Sequence, residues 1–465
     1  MNKTLTPSQF LEQRLTDIPT DIADQIRQQH EKLKDKEKMV LIIEQLMQIA
    51  SVNKWQIMRN EGSFYVYVGT HWQKVSDDVI VSFICEVAIR MGFKETSVRH
   101  YSFREGLLRQ FQIAGIRFFE LEERTHVKIN FKNGTLHIQG NGELDFRDHN
   151  LEDGLRYILN FDYLPGVEAP VFKEYLNRVL PNQCKQFPLA EFIGYAFSDL
   201  KLEKCLVLYG IGSNGKSVFF DIISALMGVE NISNFSLQSL TDNNGYTRAN
   251  LSGKLLNYAS ELSSKMNTSF FKMLVSGEPI EARQIYGRPF LLRQVPRLIF
   301  NTNELPFDIE QNDGFYRRFM LIHFDQTISE QEMDPELARK IIGTELPGVF
   351  NWVLEGLQRI SADKQFSPCD AVSKALLEFR EDHDPIRLFL SEIQAMPRHP
   401  EMAKMPLKML YTRYVDYCKE FGYRSCGLQA FSKRIQAIGY TVERKAYYGR
   451  DVGIFIPISF SSKTN

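Results

Sequence analysis

Apolar and polar residues follow both the helical and the strand period along this chain, which predicts a mixed α/β protein. Helical spacing covers residues 39–50, 77–91, 171–199, 407–421 and 428–438. Strand-like apolar runs cover residues 64–68, 206–209, 253–259 and 297–303. Asn133-Gly134 separates two further runs, and this dipeptide favours a two-residue hairpin turn. The pattern therefore predicts an α/β fold rather than an all-helical or all-strand one.

Breaks in this pattern divide the chain into four segments. A polar, charged stretch runs to about residue 37, and we expect it to form a solvated helix or a partly disordered arm. Leu164 to Pro170 is rich in breakers and predicts a linker. We place a helical, polar arm at 1–50, a mixed α/β domain at 51–185, an α/β domain at 186–365 and a smaller module at 375–465.

The strand-like run 206–209 leads directly into Gly-x-x-x-x-Gly-Lys-Ser, the P-loop pattern. Glycine lets the backbone turn tightly around an anion, and the following helix presents free N–H groups to phosphates. Lys216 supplies a positive charge and Ser217 a hydroxyl ligand for Mg²⁺. The pattern predicts that ATP and Mg²⁺ bind at Gly210, Ile211, Gly212, Ser213, Asn214, Gly215, Lys216, Ser217 and Val218.

Three later segments carry polar groups at strand ends and indicate a motor rather than a small-molecule kinase. Glu261 follows the run 253–259 and is expected to polarise water or hold Mg²⁺. Asn303 follows the run 297–302 and is expected to sense the γ-phosphate, with Asn301 as the alternative. Arg318, assisted by Arg317, precedes an apolar strand and is expected to reach the nucleotide of a neighbouring subunit.

The order and spacing of these groups resemble a known family. Lys216, Glu261, Asn303 and Arg318 are separated by 45, 42 and 15 residues. Together with the strings 209–217, 271–283, 300–306 and 316–319, this order resembles the superfamily 3 helicases, a branch of the AAA+ ATPases. Within them the chain is similar to the phage and plasmid primase-helicases that include the poxvirus-type helicases. Ser260 stands where many members carry a second acid.

The resemblance implies a P-loop AAA+ core, a helicase-associated N-terminal domain that acts as an oligomerisation collar, and a ring, which we expect to be a hexamer. It also implies 3′→5′ translocation on single-stranded DNA for a phage, plasmid or other mobile element. In the family, a hairpin between the second and third motifs lines the pore. Here residues 280–293 predict such a hairpin, in which Arg283 and Arg288 would contact phosphates and Tyr286 would stack on bases. Lys272, on the helix before it, is a further candidate. A surface hairpin with solvated arginines is the alternative.

The C-terminal module is locally basic, with ten Lys or Arg against four Asp or Glu over residues 401–450. Two helices and a following hairpin predict a winged helix, which would bind the duplex backbone. A module used only for protein contacts is the alternative. The expected contacts are Lys433 and Arg434 on the second helix and Arg444, Lys445 and Arg450 on the wing.

Composition narrows these hypotheses. The net charge is −1, so basic surfaces must be local. The six cysteines form no C-x-x-C pair, and we expect thiols rather than disulfides or zinc sites. No apolar stretch is long enough to span a bilayer, so we expect an intracellular protein without a membrane partner. Asp145, Asp148 and His149 form a polar turn rather than a primase centre, and we expect no primase activity.

We therefore expect a replicative, ATP-dependent DNA helicase with a primase, polymerase or initiator as partner. Two other functions remain open at this point. One is an ATP-dependent initiator or DNA-loading protein that unwinds little DNA. The other is a nucleotide-gated scaffold with negligible turnover.

Overall fold

The structure of the 465-residue chain is a computed structural model. It describes residues 6–19, 33–53, 55–60, 63–114, 127–140, 142–260, 262, 266–285, 287, 289–303, 313–382, 384–397, 404–423, 425–447 and 451–460. The side chains of 60, 396–397, 404, 443–447, 451–455 and 457–460 are not described. The predicted α/β class is confirmed, because a parallel sheet lies between helices.

The N-terminal part combines helices with a small antiparallel sheet. The helices are α1 (Pro7–Arg14), α2 (Asp35–Val52), α3 (Asp77–Arg90), α4 (Glu95–Val98) and α5 (Tyr101–Ala114), and the strands are β1 (Ile57–Asn60), β2 (Ser63–Tyr67) and β3 (Trp72–Val75). Helix α1 buries Phe10 and Leu11 in this core. The α1 part of the expected solvated arm is therefore packed against the core rather than solvated. Residues 20–32 of the arm lie outside the described residues.

A second antiparallel sheet contributes to the core of the following domain. It contains β4 (Val127–Phe131), β5 (Gly134–Ile138) and β6 (Leu144–Arg147). The predicted hairpin is present, but its two-residue turn is Lys132-Asn133 rather than Asn133-Gly134, because Phe131 pairs with Gly134. Phe131 packs edge-to-face on Phe350, with ring centroids 4.7 Å apart. The hydrophobic core that contains Phe131 includes residues on both sides of residue 185, from Ile129 to Ile360. The boundary expected there does not separate two cores.

The domain that follows is built on a five-stranded parallel sheet. Its strands are β7 (Cys205–Tyr209), β8 (Ile232–Ser233), β9 (Leu256–Ala259), β12 (Arg297–Thr302) and β13 (Phe319–His323), in the order β13-β7-β12-β9-β8. One face packs on α6 (Pro170–Val179), α7 (Gln183–Tyr195), α8 (Lys216–Met227), α13 (Leu337–Thr344) and α14 (Leu346–Asp363). The single helix predicted over 171–199 is thus two helices.

Shorter elements cover the other face of this sheet. They are α9 (Leu237–Leu240), α10 (Tyr246–Ala249), α11 (Thr268–Ser276), α12 (Asp313–Tyr316), α15 (Asp370–Asp382) and the antiparallel hairpin β10 (Ile280–Arg283) and β11 (Pro289–Leu292). Cys184, in the first turn of α7, forms a disulfide with Cys369, beside α15. The expectation of free thiols is wrong for this pair, because the fold brings two cysteines separated by 185 residues together.

The C-terminal part has its own core. It contains α16 (Pro385–Glu392), β14 (Ala395–Pro397), β15 (Lys404–Pro406), α17 (Leu407–Glu420), α18 (Leu428–Ala437), β16 (Glu443–Tyr447) and β17 (Asp451–Phe460). Strand β17 pairs with β14, β15 and β16. The two predicted helices and the hairpin after them are therefore present.

Candidate functional site

The glycine-rich loop connects β7 to α8 at the carboxyl edge of the parallel sheet. Gly210 has φ +151° and Gly215 has φ +84°, conformations that residues with a side chain rarely adopt. A Cβ at Gly215 would lie 2.6 Å from Cγ1 of Val179, and a Cβ at Gly210 would collide with the carbonyl oxygen of Phe324. Both glycines are therefore required by the backbone and by close packing.

Three contacts from other segments brace this loop. The Tyr175 hydroxyl donates to the carbonyl oxygen of Gly215 at 2.8 Å. The Ile328 N–H donates to the carbonyl oxygen of Ser213 at 2.8 Å. The Asn214 amide donates to the carbonyl oxygen of Phe324 at 3.2 Å. The loop is thus held from the α6 side and from the segment after β13.

Lys216 is only 7% exposed and lies folded over the loop. Its Nζ donates to the carbonyl oxygen of Gly210 at 2.6 Å and to Oδ1 of Asn214 at 3.0 Å. Burial lowers the pKa of the Lys216 ammonium. No described residue accepts a hydrogen bond from the backbone N–H groups of residues 211–215. Free N–H groups, a buried cation and a helix N-terminus together suit a polyphosphate.

The next predicted groups meet the loop at the same edge. Strand β12 lies between β7 and β9, and Thr302 is in register with Tyr209. The carboxyl ends of parallel neighbours lie side by side, so Asn303 follows β12 next to the start of the loop, and its side chain is exposed. Glu261 lies outside the described residues, although Ser260 before it directly follows β9.

Asn301, the alternative to Asn303, is engaged elsewhere. Its Oδ1 accepts a hydrogen bond from the Tyr258 hydroxyl at 3.0 Å, and both side chains are buried. Burial raises the pKa of this Tyr258 hydroxyl, so it remains a proton donor. Asn301 is therefore engaged inside the chain, whereas Asn303 is exposed at the edge of the sheet.

The two arginines lie at the opposite edge of the sheet. They precede β13, whose first residue, Phe319, is in register with Cys205 at the start of β7. Five residues of strand separate this edge from the glycine-rich loop, a distance of about 16 Å at 3.3 Å per residue. Neither arginine is therefore close to the loop of its own chain.

The arginines also differ from one another. The Arg317 side chain is 65% exposed and lies 3.3 Å from the Glu203 carboxylate. The Arg318 side chain is 10% exposed, lies 3.2 Å from the same carboxylate and donates to the carbonyl oxygen of Gly314. Its Nη2 also donates to Oγ of Ser276 at 3.0 Å. Arg318 is thus buried and bonded to residues of its own chain, whereas most of the Arg317 side chain is exposed to solvent.

The predicted hairpin has one buried and one exposed face. Ile280 and Ala282 are buried, whereas Arg283 is exposed and its Nε donates to the carbonyl oxygen of Gly287 at 3.2 Å. Tyr286 and Arg288 lie outside the described residues. Among the described residues of this hairpin, the face that carries Glu281 and Arg283 is exposed.

Sequence reasoning missed Arg248, which holds this hairpin. Arg248 is 2% exposed, and its Nε donates to the carbonyl oxygen of Glu281 at 2.9 Å. Its Nη1 donates to the carbonyl oxygens of Leu240 and Asp242, and its guanidinium lies 4.4 Å from the Phe270 ring centre. A lone arginine in the short helix α10 gave no sequence signal for this role.

The remaining candidates whose side chains are described lie on two separate helices. Lys272 is half-buried on α11. Lys433 is exposed on α18, but Arg434 pairs with Asp384 at 2.8 Å, at the start of α16. The side chains of Arg444 and Lys445 are not described, and Arg450 lies outside the described residues. Arg434 therefore holds two helices together.

The described residues contain neither a metal-binding cluster nor a membrane-spanning helix. No group of three or more His, Cys, Asp or Glu in these ranges could hold a metal ion. Within the same ranges, every helix is too short or too polar to cross a membrane.

Family comparisons agree with the resemblance seen in the sequence. A family described as "D5 N terminal like" matches residues 44–181, and one described as "Poxvirus D5 protein-like" matches residues 381–454. The chain is therefore similar to D5-type proteins over these two segments. A third family, of unknown function (DUF5906), matches residues 208–318, which include the glycine-rich loop and both arginines.

Individual relatives are distant. The protein named "Putative helicase L207/L206" of Acanthamoeba polyphaga mimivirus is 24% identical over 246 residues, which are 50% of this chain. The match spans only 25% of that relative. An apo structure of the NrS-1 C-terminal region matches 89% of this chain and 98% of its own length, at 13% identity and a TM-score of 0.48. Another apo structure of that region, residues 305–718, gives 15% identity and a TM-score of 0.47.

Proposed function

We propose that this D5-type protein is a ring-forming, ATP-driven DNA helicase that serves the replication of a virus, phage, plasmid or other mobile element. One observation carries the proposal. A braced glycine-rich loop with a buried lysine and an exposed asparagine occupies one edge of a parallel sheet, and an exposed arginine occupies the opposite edge. A nucleotide on one subunit and an arginine on the next would complete such a site.

The glycine-rich loop is proposed to act as a P-loop that binds the triphosphate of ATP. Lys216 would leave Gly210 and Asn214 for the β- and γ-phosphates, and the N–H groups of residues 211–215 would donate to phosphate oxygens. Ser217, exposed at the start of α8, and Glu261 would hold Mg²⁺, which neutralises the charge on the phosphates. Asn303 would orient the attacking water.

The arginine pair is proposed to act between subunits, with a division of labour that the sequence does not reveal. About 16 Å of strand separates the pair from its own loop, so only a neighbour's nucleotide is within reach. Arg317 is the exposed member and would contact the γ-phosphate, while Arg318 would hold it in place. A closed ring, proposed to be a hexamer, would repeat this contact at each interface.

Two surfaces are proposed to bind DNA. The tip of the β10–β11 hairpin, with Arg283, Tyr286 and Arg288, would track a single strand, and Lys272 would lie behind it. The C-terminal part would act as a winged helix on duplex DNA, through Lys433 on α18 and Arg444, Lys445 and Arg450 on the β16–β17 hairpin. A primase, polymerase or initiator would act as partner.

A subunit-mixing experiment tests the shared site. Lys216→Ala destroys the subunit's own loop but leaves its arginine intact, and Arg317→Ala does the reverse. Each variant alone should hydrolyse almost no ATP. In randomly mixed rings, about a quarter of the interfaces would pair an intact loop with an intact arginine, because the two come from neighbouring subunits.

ATP hydrolysis should therefore recover to roughly a quarter of the wild-type rate in the mixture, with single-stranded DNA present. Lys201→Ala, an exposed lysine away from the loop, serves as the matched control for Lys216→Ala and should keep full activity. No recovery in mixed, fully assembled rings would refute a site shared between subunits.

A further inference from the structure

The last turn of α11 connects the arginine pair to the hairpin proposed to bind DNA. Ser276 ends α11, and β10 begins at Ile280. Oγ of Ser276 accepts a hydrogen bond from Nη2 of Arg318 at 3.0 Å, and both residues are buried. The buried Arg318 thus contacts the end of the helix that leads into the hairpin, four residues before β10 begins.

Glu203 joins the two arginines to each other. Its Oε2 lies 3.3 Å from Nη2 of Arg317 and 3.2 Å from Nη2 of Arg318. Glu203 has φ +50°, the left-handed conformation that costs a residue with a side chain about 1–3 kcal/mol. The Lys204 ammonium, next to it, donates to the carbonyl oxygen of Arg317 at 2.5 Å. The Glu203 carboxylate, carried by this strained backbone, therefore links Arg317 to Arg318.

Side-chain contacts also hold α11 and β10 against neighbouring elements, including β13 beside Arg318. Phe271 of α11 stacks on Phe319, the residue after Arg318, with ring centroids 5.1 Å apart. Arg248 fastens β10 to α10 and lies over Phe270 of α11. Small displacements of such packed elements are transmitted rather than absorbed, because close-packed interiors have little free volume.

We propose that Arg318 is a positioning residue that couples Arg317 to the hairpin through Ser276, so that DNA on the hairpin and ATP on the neighbouring subunit influence each other. The inference rests on the proposed function. Binding of the hairpin to DNA would move Ser276, and Arg318 with Glu203 would carry that displacement to Arg317. Coupling between binding sites is reciprocal, so nucleotide would change DNA affinity by the same factor.

Ser276→Ala tests this coupling, because it removes one hydroxyl from the connection and leaves the glycine-rich loop and Arg317 unchanged. We expect the rate of ATP hydrolysis without DNA, and the KM for ATP, to stay at the wild-type values. Stimulation by an oligothymidylate strand should fall roughly fivefold or more, the lower end of ordinary coupling. A purely structural role for Ser276 would lower both rates together.

Ser198→Ala is the matched control, since Ser198 is also buried and its Oγ makes one hydrogen bond, to the carbonyl oxygen of Tyr195 at 3.1 Å. It should keep full stimulation. Glu203→Gln is a second test on a more exposed residue, and it should also lose stimulation because it weakens both arginine contacts.

The outcomes separate the two proposals. Full DNA stimulation in both Ser276→Ala and Glu203→Gln would overturn the coupling and leave the helicase proposal standing. A wild-type protein that hydrolyses ATP without any response to DNA would overturn the helicase proposal and the coupling together.

Discussion

Arg317 and Arg318 are adjacent and chemically identical, yet the structure predicts very different consequences for their removal. Arg318→Ala deletes two hydrogen bonds from a buried guanidinium, to Ser276 and to the carbonyl oxygen of Gly314. Hydrogen bonds that involve a charged group contribute about 1.5–3 kcal/mol each. Removal of the buried charge offsets a small part of this contribution. We therefore expect Arg318→Ala to lower the free energy of unfolding by about 3 kcal/mol.

Arg317→Ala should cost far less. Its side chain is 65% exposed, and its ion pair is with Glu203, itself 39% exposed. Ion pairs of this kind contribute about 0.2–1 kcal/mol to stability. The same substitution nevertheless removes the group proposed to reach the neighbour's nucleotide. Arg317→Ala should therefore abolish ATP hydrolysis in a stable protein, whereas Arg318→Ala should weaken the fold.

Hydrogen exchange of the β7 and β13 backbone amides measures the local stability of each arginine variant. A global unfolding curve is less suitable, because a multidomain chain does not unfold in a single two-state transition. The Cys205 N–H donates to the carbonyl oxygen of Arg318 at 2.7 Å, so these strands report on the arginine. A loss of about 3 kcal/mol accelerates exchange roughly 100-fold. Equal protection in the two variants would refute the assignment of Arg318 as a buried structural cation.

Three further predictions concern other parts of the molecule. Gly215→Ala should lower stability by about 1–3 kcal/mol, because its Cβ would lie 2.6 Å from a methyl group, whereas Gly212→Ala has no atom within 4 Å and should unfold thermally like wild type. Burial lowers the pKa of His71 to about 4, so native His71 stays neutral while unfolded His71 is protonated near 6.5. The free energy of unfolding should therefore fall as pH drops from 6.5 towards 4, with His71 contributing at most about 3 kcal/mol of the loss. Urea unfolding of His71→Gln should show a smaller loss over the same pH range, and an equal loss would contradict the prediction. Thiol labelling of the unfolded chain without reductant should modify four of the six cysteines, and modification of all six would contradict the bond between Cys184 and Cys369.

Local sequence signals predicted most individual elements correctly. The strand, glycine-rich loop and helix around residues 205–227 are present. The β4–β5 hairpin also forms, with its two-residue turn at Lys132-Asn133, one position before the predicted turn. These signals succeed because a turn residue or an apolar period acts within a few positions of the chain. The helix expected over 171–199 was too long, because Pro181 and Asn182 interrupt it between α6 and α7.

Contacts between distant residues could not be predicted in the same way. An apolar face shows that a segment is buried but does not identify what covers it, so the packing of β4–β6 on α14 was not foreseen. Which of Asn301 and Asn303 is buried likewise depends on a distant contact, the hydrogen bond from the Tyr258 hydroxyl to Asn301. Which of the two adjacent arginines is buried depends on the hydrogen bond between Arg318 and Ser276. The partner in each case lies 42 or 43 residues away along the chain.

Strand displacement on a forked DNA duplex, with ATP and Mg²⁺, tests the central claim most directly. Wild-type protein should separate the strands, and Lys216→Ala, assembled to the same size, should not. Release of the strand by wild type alone would establish a translocating enzyme driven by the glycine-rich loop. Failure of assembled wild-type protein to unwind the fork, despite ATP hydrolysis, would contradict the helicase account and favour an initiator or DNA-loading protein.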